Sequence, residues 1–253
     1  MRVFITGASS GLGKALAQYY AQQGATLGLA ARRADELASL ADSLGVPTAI
    51  YPLDVRDAEQ LQQAARAFNL RFGAPDIVIA SAGVSCGTLT EHVEDLAVFQ
   101  DVMDINLVGM VKTFQPFIEA MRTRGEGTLV GIASVAGARG LPGGSAYSAS
   151  KAAAIIYLES LRVELASSGV RVLTACPGYI QTPLTAVNPY RMPFLLSADR
   201  AAVIIAQAVQ RKRRAVVLPW QMAIVFRLLR ILPNWAYDKL FANAPRKPRN
   251  LKI

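Results

Sequence analysis

The chain has 253 residues and a formal net charge of +9, with 52% of its residues hydrophobic and 18% charged. That balance excludes a disordered chain, and only two cysteines, Cys86 and Cys176, exclude a disulfide scaffold. Two thiols and a single histidine cannot build a zinc site alone, so no metal is expected. The charge is unevenly placed. Residues 211–253 carry eleven Lys/Arg against one acid, Asp238, whereas residues 1–210 carry sixteen bases and seventeen acids. Any acidic partner is therefore expected at the last 43 residues.

In chain order, the first strand-like run, residues 2–5, leads straight into Thr6-Gly7 and leaves no room for a signal peptide. Further apolar runs at residues 26–31, 47–52, 77–80, 128–133 and 170–175 read as strands buried on both faces, because none alternates strictly. Helical spacing separates them, as at Leu37, Leu40, Ala41 and Leu44, and again at Leu61, Ala65 and Phe68 after Asp57. Repeated strand–helix–strand units predict an α/β fold: one doubly wound, Rossmann-like parallel sheet over residues 1–190. Residues 191–253 are expected to form a substrate lid and a basic, helical appendage of the same domain. The apolar run at 215–226 contains Pro219 and falls short of the roughly 20 residues a spanning helix needs. A cytoplasmic location is expected, with peripheral membrane contact as an open alternative.

Thr6-Gly7-Ala8-Ser9-Ser10-Gly11-Leu12-Gly13 follows the first strand and opens the first helix. A turn this tight brings backbone N–H groups and a helix N-terminus against a pyrophosphate. The same residues match G-x-S-x-G, a nucleophile elbow, but that reading needs His92 as its base, and His92 lies in the polar stretch Thr90-Glu91-His92. At the end of the second strand, where an NAD site wants Asp or Glu, stand Ala30-Ala31-Arg32-Arg33. Two guanidiniums suit a 2′-phosphate, so NADP(H) is favoured.

Ser134 precedes Tyr147 by thirteen residues, and Lys151 follows Tyr147 by four. On a helix the phenol and ammonium share a face one turn apart, where a cation can stabilise a phenolate. Ser134 can donate to a carbonyl oxygen. With the glycine turn, Asn106 in Met-Asp-Ile-Asn and Pro177-Gly178, the ordered set resembles the short-chain dehydrogenase/reductase family over about residues 1–190. The resemblance implies a catalytic tetrad of Asn106, Ser134, Tyr147 and Lys151. Tyr147 would give its proton to the carbonyl oxygen, Lys151 would lower the Tyr147 pKa and hold the nicotinamide ribose, and Asn106 would hold a relay water. It also implies cofactor contacts from Gly7, Ser9, Ser10, Gly11, Leu12 and Gly13, from Asp54 and Val55 on the adenine side, and from Ser81, Ala82 and Gly83. Pro177, Gly178, Ile180 and Thr182 would meet the nicotinamide end. The family usually has Asn-Asn-Ala-Gly where this chain has Ala80-Ser81-Ala82-Gly83, so hydrogen bonding there is expected to be rearranged.

After Pro177, Leu184, Tyr190, Met192, Pro193, Phe194, Leu195 and Leu196 suggest a hydrophobic substrate lid. Then Trp220, Met222, Ile224, Val225, Phe226, Leu228, Leu229, Ile231, Leu232 and Trp235 surround a polar stripe, Ala223-Arg227-Arg230-Asn234. Arg211-Lys212-Arg213-Arg214 precedes this stretch and Arg246-Lys247-Pro248-Arg249 follows it. Two readings stand side by side: an interfacial helix on an anionic bilayer, or a helix covering the substrate site or a subunit contact. Nucleic acid is not expected, since no stacking aromatics interleave with charge. The expected function is NADPH-dependent reduction of a lipophilic ketone, or the reverse oxidation. A 3-oxoacyl thioester reductase whose basic tail docks an acidic acyl carrier protein or a CoA phosphate, or a non-catalytic dinucleotide sensor, are the alternatives. The family implies a homodimer or homotetramer, and Cys86 has no assigned role.

Overall fold

The computed structural model describes residues 1–249. β1 (Arg2–Thr6), α1 (Gly11–Gln22), β2 (Thr26–Ala31), α2 (Ala34–Leu44), β3 (Thr48–Pro52), α3 (Ala58–Phe72) and β4 (Ile77–Ala80) alternate without interruption. Next come α4 (Asp95–Met103), α5 (Gly109–Arg124), β5 (Gly127–Ile132), α6 (Ser145–Glu164) and β6 (Val170–Pro177). The remainder is β7 (Ile180–Gln181), α7 (Pro183–Ala186), β8 (Leu196–Ser197), α8 (Ala198–Gln210), β9 (Ala215–Leu218), α9 (Trp220–Ile231) and α10 (Asn234–Phe241). The main sheet runs β3-β2-β1-β4-β5-β6-β9, parallel throughout. Strand order reverses between β1 and β4, which opens a crevice at the carboxyl ends.

Apolar side chains lie on both faces of this sheet, as the unbroken hydrophobic runs require. Leu16 of α1, Leu37 of α2 and Ile205 of α8 cover one face, packing on Ile5, Leu29 and Leu173. Phe68 of α3, Phe114 and Phe117 of α5 and Leu158 of α6 cover the other, around Phe4 and Val78. Asp57 caps α3, its carboxylate accepting from the N–H groups of Glu59 and Gln60. The doubly wound, single-domain fold expected from the sequence is the one observed.

Two features differ from expectation. The appendage is not wholly helical: residues 215–218 form β9, paired with β6 from Thr174↔Ala215 to Pro177↔Leu218, and α8 packs against α1. A four-residue apolar run carries no period that separates strand from helix, and only the neighbouring edge of β6 decides it. The apolar stretch at 220–235 is also two helices, not one, because Pro233 begins a new segment after α9 ends.

Candidate active site

A cavity of about 410 Å3 lies at the carboxyl ends of β1, β2, β4, β5 and β6. One end is built from backbone. Gly7 has φ +68°, and a Cβ there would sit 2.6 Å from the Ala82 nitrogen; a Cβ on Gly13 would sit 2.2 Å from the Gly7 carbonyl oxygen. A side chain at Gly7 would push the turn off the β4 loop and one at Gly13 would push α1 off the turn, so both positions need glycine. Ser9, Ser10, Gly11 and Leu12 line the cavity together with these two glycines. Ser10 is the N-cap of α1 without making a side-chain cap, and the first turn holds no acid, so the opening N–H groups of α1 are left for an anion.

Arg32 and Arg33, both exposed, line the cavity beyond the end of β2. Arg33 reaches back over the turn, its Nη2 donating to the Ser9 hydroxyl at 3.0 Å. Ser9 is thus tied to a cation rather than to a base. His92 has its nitrogens 3.8 and 3.7 Å from the carboxylates of Glu91 and Glu94, and the nucleophile-elbow reading finds no support in these pairings. Asp54 and Val55 form the adjoining wall. Burial alone would raise the Asp54 pKa, but hydrogen bonds and charge from Arg56 hold it below the usual range, with Arg32 adding to the effect.

At the other end Ser134, Tyr147 and Lys151 line the cavity with Pro177, Gly178, Ile180 and Thr182. Ser134 ends the connection from β5, donating to the Pro177 carbonyl at 3.4 Å and accepting from Ala136 N–H at 3.1 Å. Tyr147 and Lys151 lie one turn apart on α6. The ammonium of Lys151 is buried, donates to the Ile132 carbonyl at 2.8 Å and lies 5.8 Å from the centre of the Tyr147 ring. Burial raises the Tyr147 phenol and the neighbouring Ser134 hydroxyl pulls it partly back, while the Lys151 ammonium donates to a carbonyl beside it. Lys151 itself is lowered to about 8 by burial.

Asn106 does not line the cavity; it is fully buried in a single π-helical turn, Asp104–Val108, between α4 and α5. Its Oδ1 accepts from Val84 N–H at 2.8 Å, and its Nδ2 donates to the Val84 carbonyl and to Ser150 Oγ, each at 3.0 Å. The amide therefore clamps the loop after β4, where Ser81, Ala82 and Gly83 form the cavity floor. A wide helical turn is a common device at functional sites, but nothing in the local pattern announces it.

Two further features escaped the sequence. Arg139, after Ser134, donates to the Leu229 and Leu232 carbonyls at 3.3 and 2.8 Å and to Asn234 Oδ1 at 2.9 Å, and stacks over Tyr237. The chain after α10 returns beside the cavity wall: Gly87 N–H donates to the Pro248 carbonyl at 2.9 Å, and Lys247 Nζ to the carbonyl of the lining residue Leu184 at 3.0 Å. Cys86 is buried under this strap, its Sγ 3.9 Å from the Pro248 carbonyl oxygen. Arg249 pairs with Asp95 at 2.8 Å and Glu94 at 3.0 Å. The single visible signal was a pair of glycines. A Cβ at Gly87 would strike the Lys247 carbonyl oxygen at 2.3 Å, and one at Gly143 the Arg246 side chain at 2.9 Å. Of the apolar lid residues, Leu184 reaches the cavity wall, Leu196 packs on the core, and Phe194 and Leu195 are exposed.

A family model described as short chain dehydrogenase matches residues 1–191. The chain belongs to the short-chain dehydrogenase family. An uncharacterized oxidoreductase of Myxococcus xanthus is 38% identical over 237 residues, covering 92% of this chain and 93% of that one. A short chain dehydrogenase/reductase from Burkholderia phymatum, solved in complex with NAD, superposes with a TM-score of 0.82 at 26% identity, covering 99% and 98% of the two chains. An alcohol dehydrogenase from the archaeon Thermococcus sibiricus, complexed with 5-hydroxy-NADP, gives 0.77 at 27% identity, covering 86% and 95%. This short-chain dehydrogenase is therefore an oxidoreductase, and both of those solved structures carry a nicotinamide-type dinucleotide or its analogue.

Proposed function

We propose that this short-chain dehydrogenase uses NADPH to reduce the ketone of a lipophilic substrate, or runs the reverse alcohol oxidation. The observation that carries the reading is a single cavity bounded by Arg32 and Arg33 at one end and by Ser134 and Tyr147 at the other. The residues present fit a dinucleotide. The glycine turn leaves room only for backbone, the start of α1 offers uncapped N–H donors, and the end of β2 offers two guanidiniums and no carboxylate. The two solved neighbours differ between NAD and an NADP analogue, so the choice rests on those guanidiniums.

When bound, the nicotinamide supplies the hydride for the carbonyl carbon. The chain's own groups do the rest. Tyr147, its pKa raised by burial, holds its proton at neutral pH and is placed to give it to the carbonyl oxygen. The Ser134 hydroxyl positions that oxygen, and Lys151, fixed through Ile132, holds the ribose side of the pocket. Asn106 acts through the β4 loop as a positioning residue. The lipophilic character is supported by Ala133, Pro183 and Leu184 in the cavity wall. The thioester alternative relied on the basic tail to dock a carrier. Lys247 and Arg249, engaged on Leu184, Asp95 and Glu94, are not free for that task.

The test is equilibrium binding of NADPH and NADH to the wild type and to the Arg32→Ala/Arg33→Ala double variant. Tighter NADPH binding in the wild type is expected, and the double variant should lose it by about ten- to a hundredfold, on the order of 1.5–3 kcal/mol. Equal affinities in the wild type would overturn the NADP assignment.

A further inference from the structure

α9 has two faces. Met222 occupies the space a side chain at Gly178 would need, and Phe226 packs on the core behind α6. Trp220, Ile224, Leu228 and Ile231, at i, i+4, i+8 and i+11, line up on the opposite face and are 69%, 51%, 56% and 76% exposed. Trp235 on α10 is 74% exposed. Arg227 and Arg230, both exposed, lie on one flank of this stripe, and Asp238 is the sole acid between residues 211 and 249. Arg139 locks the whole element to the Ser134 loop through the carbonyls at the end of α9 and through Tyr237. The apolar face is thus carried rigidly beside the active-site mouth.

We propose that this face of α9 and α10 docks on an anionic lipid bilayer. Charge complementarity selects that occupant: an apolar stripe with tryptophan near each end and arginines along one side matches acyl chains below and acidic headgroups beside them. A second copy of the chain would bring the same arginines together across a two-fold contact, with Asp238 the one acid of this segment to set against them. The helix lies on the surface rather than crossing it. Its 12 residues span about 18 Å, and among the described residues no helix is long and apolar enough to cross. Two basic clusters that flank α9 in sequence do not contribute. Residues 211–214 precede β9 at the opposite end of the strand from α9, and Lys247 and Arg249 are bound within the protein. The proposal makes lateral delivery of a membrane-dissolved substrate possible, yet it stands on α9 and not on the cofactor assignment.

The chain's two tryptophans are Trp220 on the α9 stripe and the exposed Trp235 on α10, so tryptophan fluorescence reports on these two helices. The full-length protein, without nucleotide, is titrated with vesicles of phosphatidylcholine, pure or containing phosphatidylglycerol, at low salt, and pelleted with them. A blue shift and co-sedimentation are expected with the anionic vesicles only. The Arg227→Ala/Arg230→Ala variant should partition about fivefold more weakly per arginine removed. Ile224→Asn and Leu228→Asn, at exposed positions, should each weaken partitioning about tenfold while far-UV circular dichroism and nucleotide binding stay unchanged. No shift with anionic vesicles, or equal partitioning into both, overturns the proposal. A blue shift that grows with protein concentration in the absence of lipid also overturns it, assigning the face to a second copy.

Discussion

The two ends of the cavity are built from different materials. At the nucleotide end the walls are mostly main chain, the turn from Gly7 to Gly13, the start of α1 and the ends of three adjacent strands, with Arg32 and Arg33 at the outer edge. At the substrate end they are held by long side chains reaching distant carbonyls, Arg139 to Leu229 and Leu232, Lys247 to Leu184, and by a tail that crosses to Gly87. A main-chain wall cannot change without moving the sheet, whereas a wall of side-chain ties can be altered one tie at a time. The difference explains how one end can keep a fixed ligand while the other accommodates substrate.

Substitutions can break that contrast, and the largest effect is expected where the two ends meet. Tyr147→Phe removes the proposed proton donor but leaves α6 and the nucleotide wall in place. Turnover should fall by about 10²–10⁴-fold while NADPH affinity stays within a few-fold of the wild type. Steady-state kinetics alongside equilibrium binding separate the two, and a loss of binding equal to the loss of turnover would show that Tyr147 is part of the nucleotide wall.

The next effect belongs to the main chain itself. In Gly13→Ala the new Cβ meets the Gly7 carbonyl 2.2 Å away, an atom that cannot yield without shifting β1 or α1. Destabilisation of about 1–3 kcal/mol is expected, a fall in Tm of roughly 2–4 °C per kcal/mol, together with weaker nucleotide binding. Calorimetry checks the first and titration the second. An unchanged Tm would mean that the turn adapts as side-chain ties do, and the contrast would lapse.

This division also marks what could be read from the amino-acid order. The first six strands and the turn were legible because unbroken apolar runs alternating with helical spacing, and glycine at fixed offsets, act over short range, and Arg32 and Arg33 were legible from their distance past Gly13. Ser134, Tyr147 and Lys151 were legible as an ordered set, and the structure brings them to one cavity. β9 was not, since four apolar residues become a strand only when β6 offers an edge. The π-helical turn at Asn106 was hidden because it differs from α-helix by one hydrogen-bond register, not by residue type. The strap depends on Gly87 and Lys247, 160 residues apart, meeting through the whole fold. The burial that raises the Tyr147 phenol, and the Ile132 carbonyl that holds Lys151, are likewise products of the whole fold that spacing cannot disclose.

The smallest effect tests whether a single tie at the substrate end carries what its geometry implies. Burial lowers the Lys247 pKa to about 8 where it meets the Leu184 carbonyl, against 10.5 in an unfolded chain. Between those values the unfolded state binds more protons, so this group makes the native state more stable as pH rises from 8 toward 10.5, and least favoured below 8. Lys247→Met keeps most of the buried stem and removes the charge. Relative to the variant, the wild type should therefore gain Tm steadily across that window, by a few degrees at most, and the two should run parallel below it. Lys151, lowered to a similar value, titrates in both proteins and cancels from the difference. A gap that stays flat from pH 7 to 10.5 would mean that Lys247 is solvated in the native protein. The tail would then not tie the lid, and the substrate end would be open on that side.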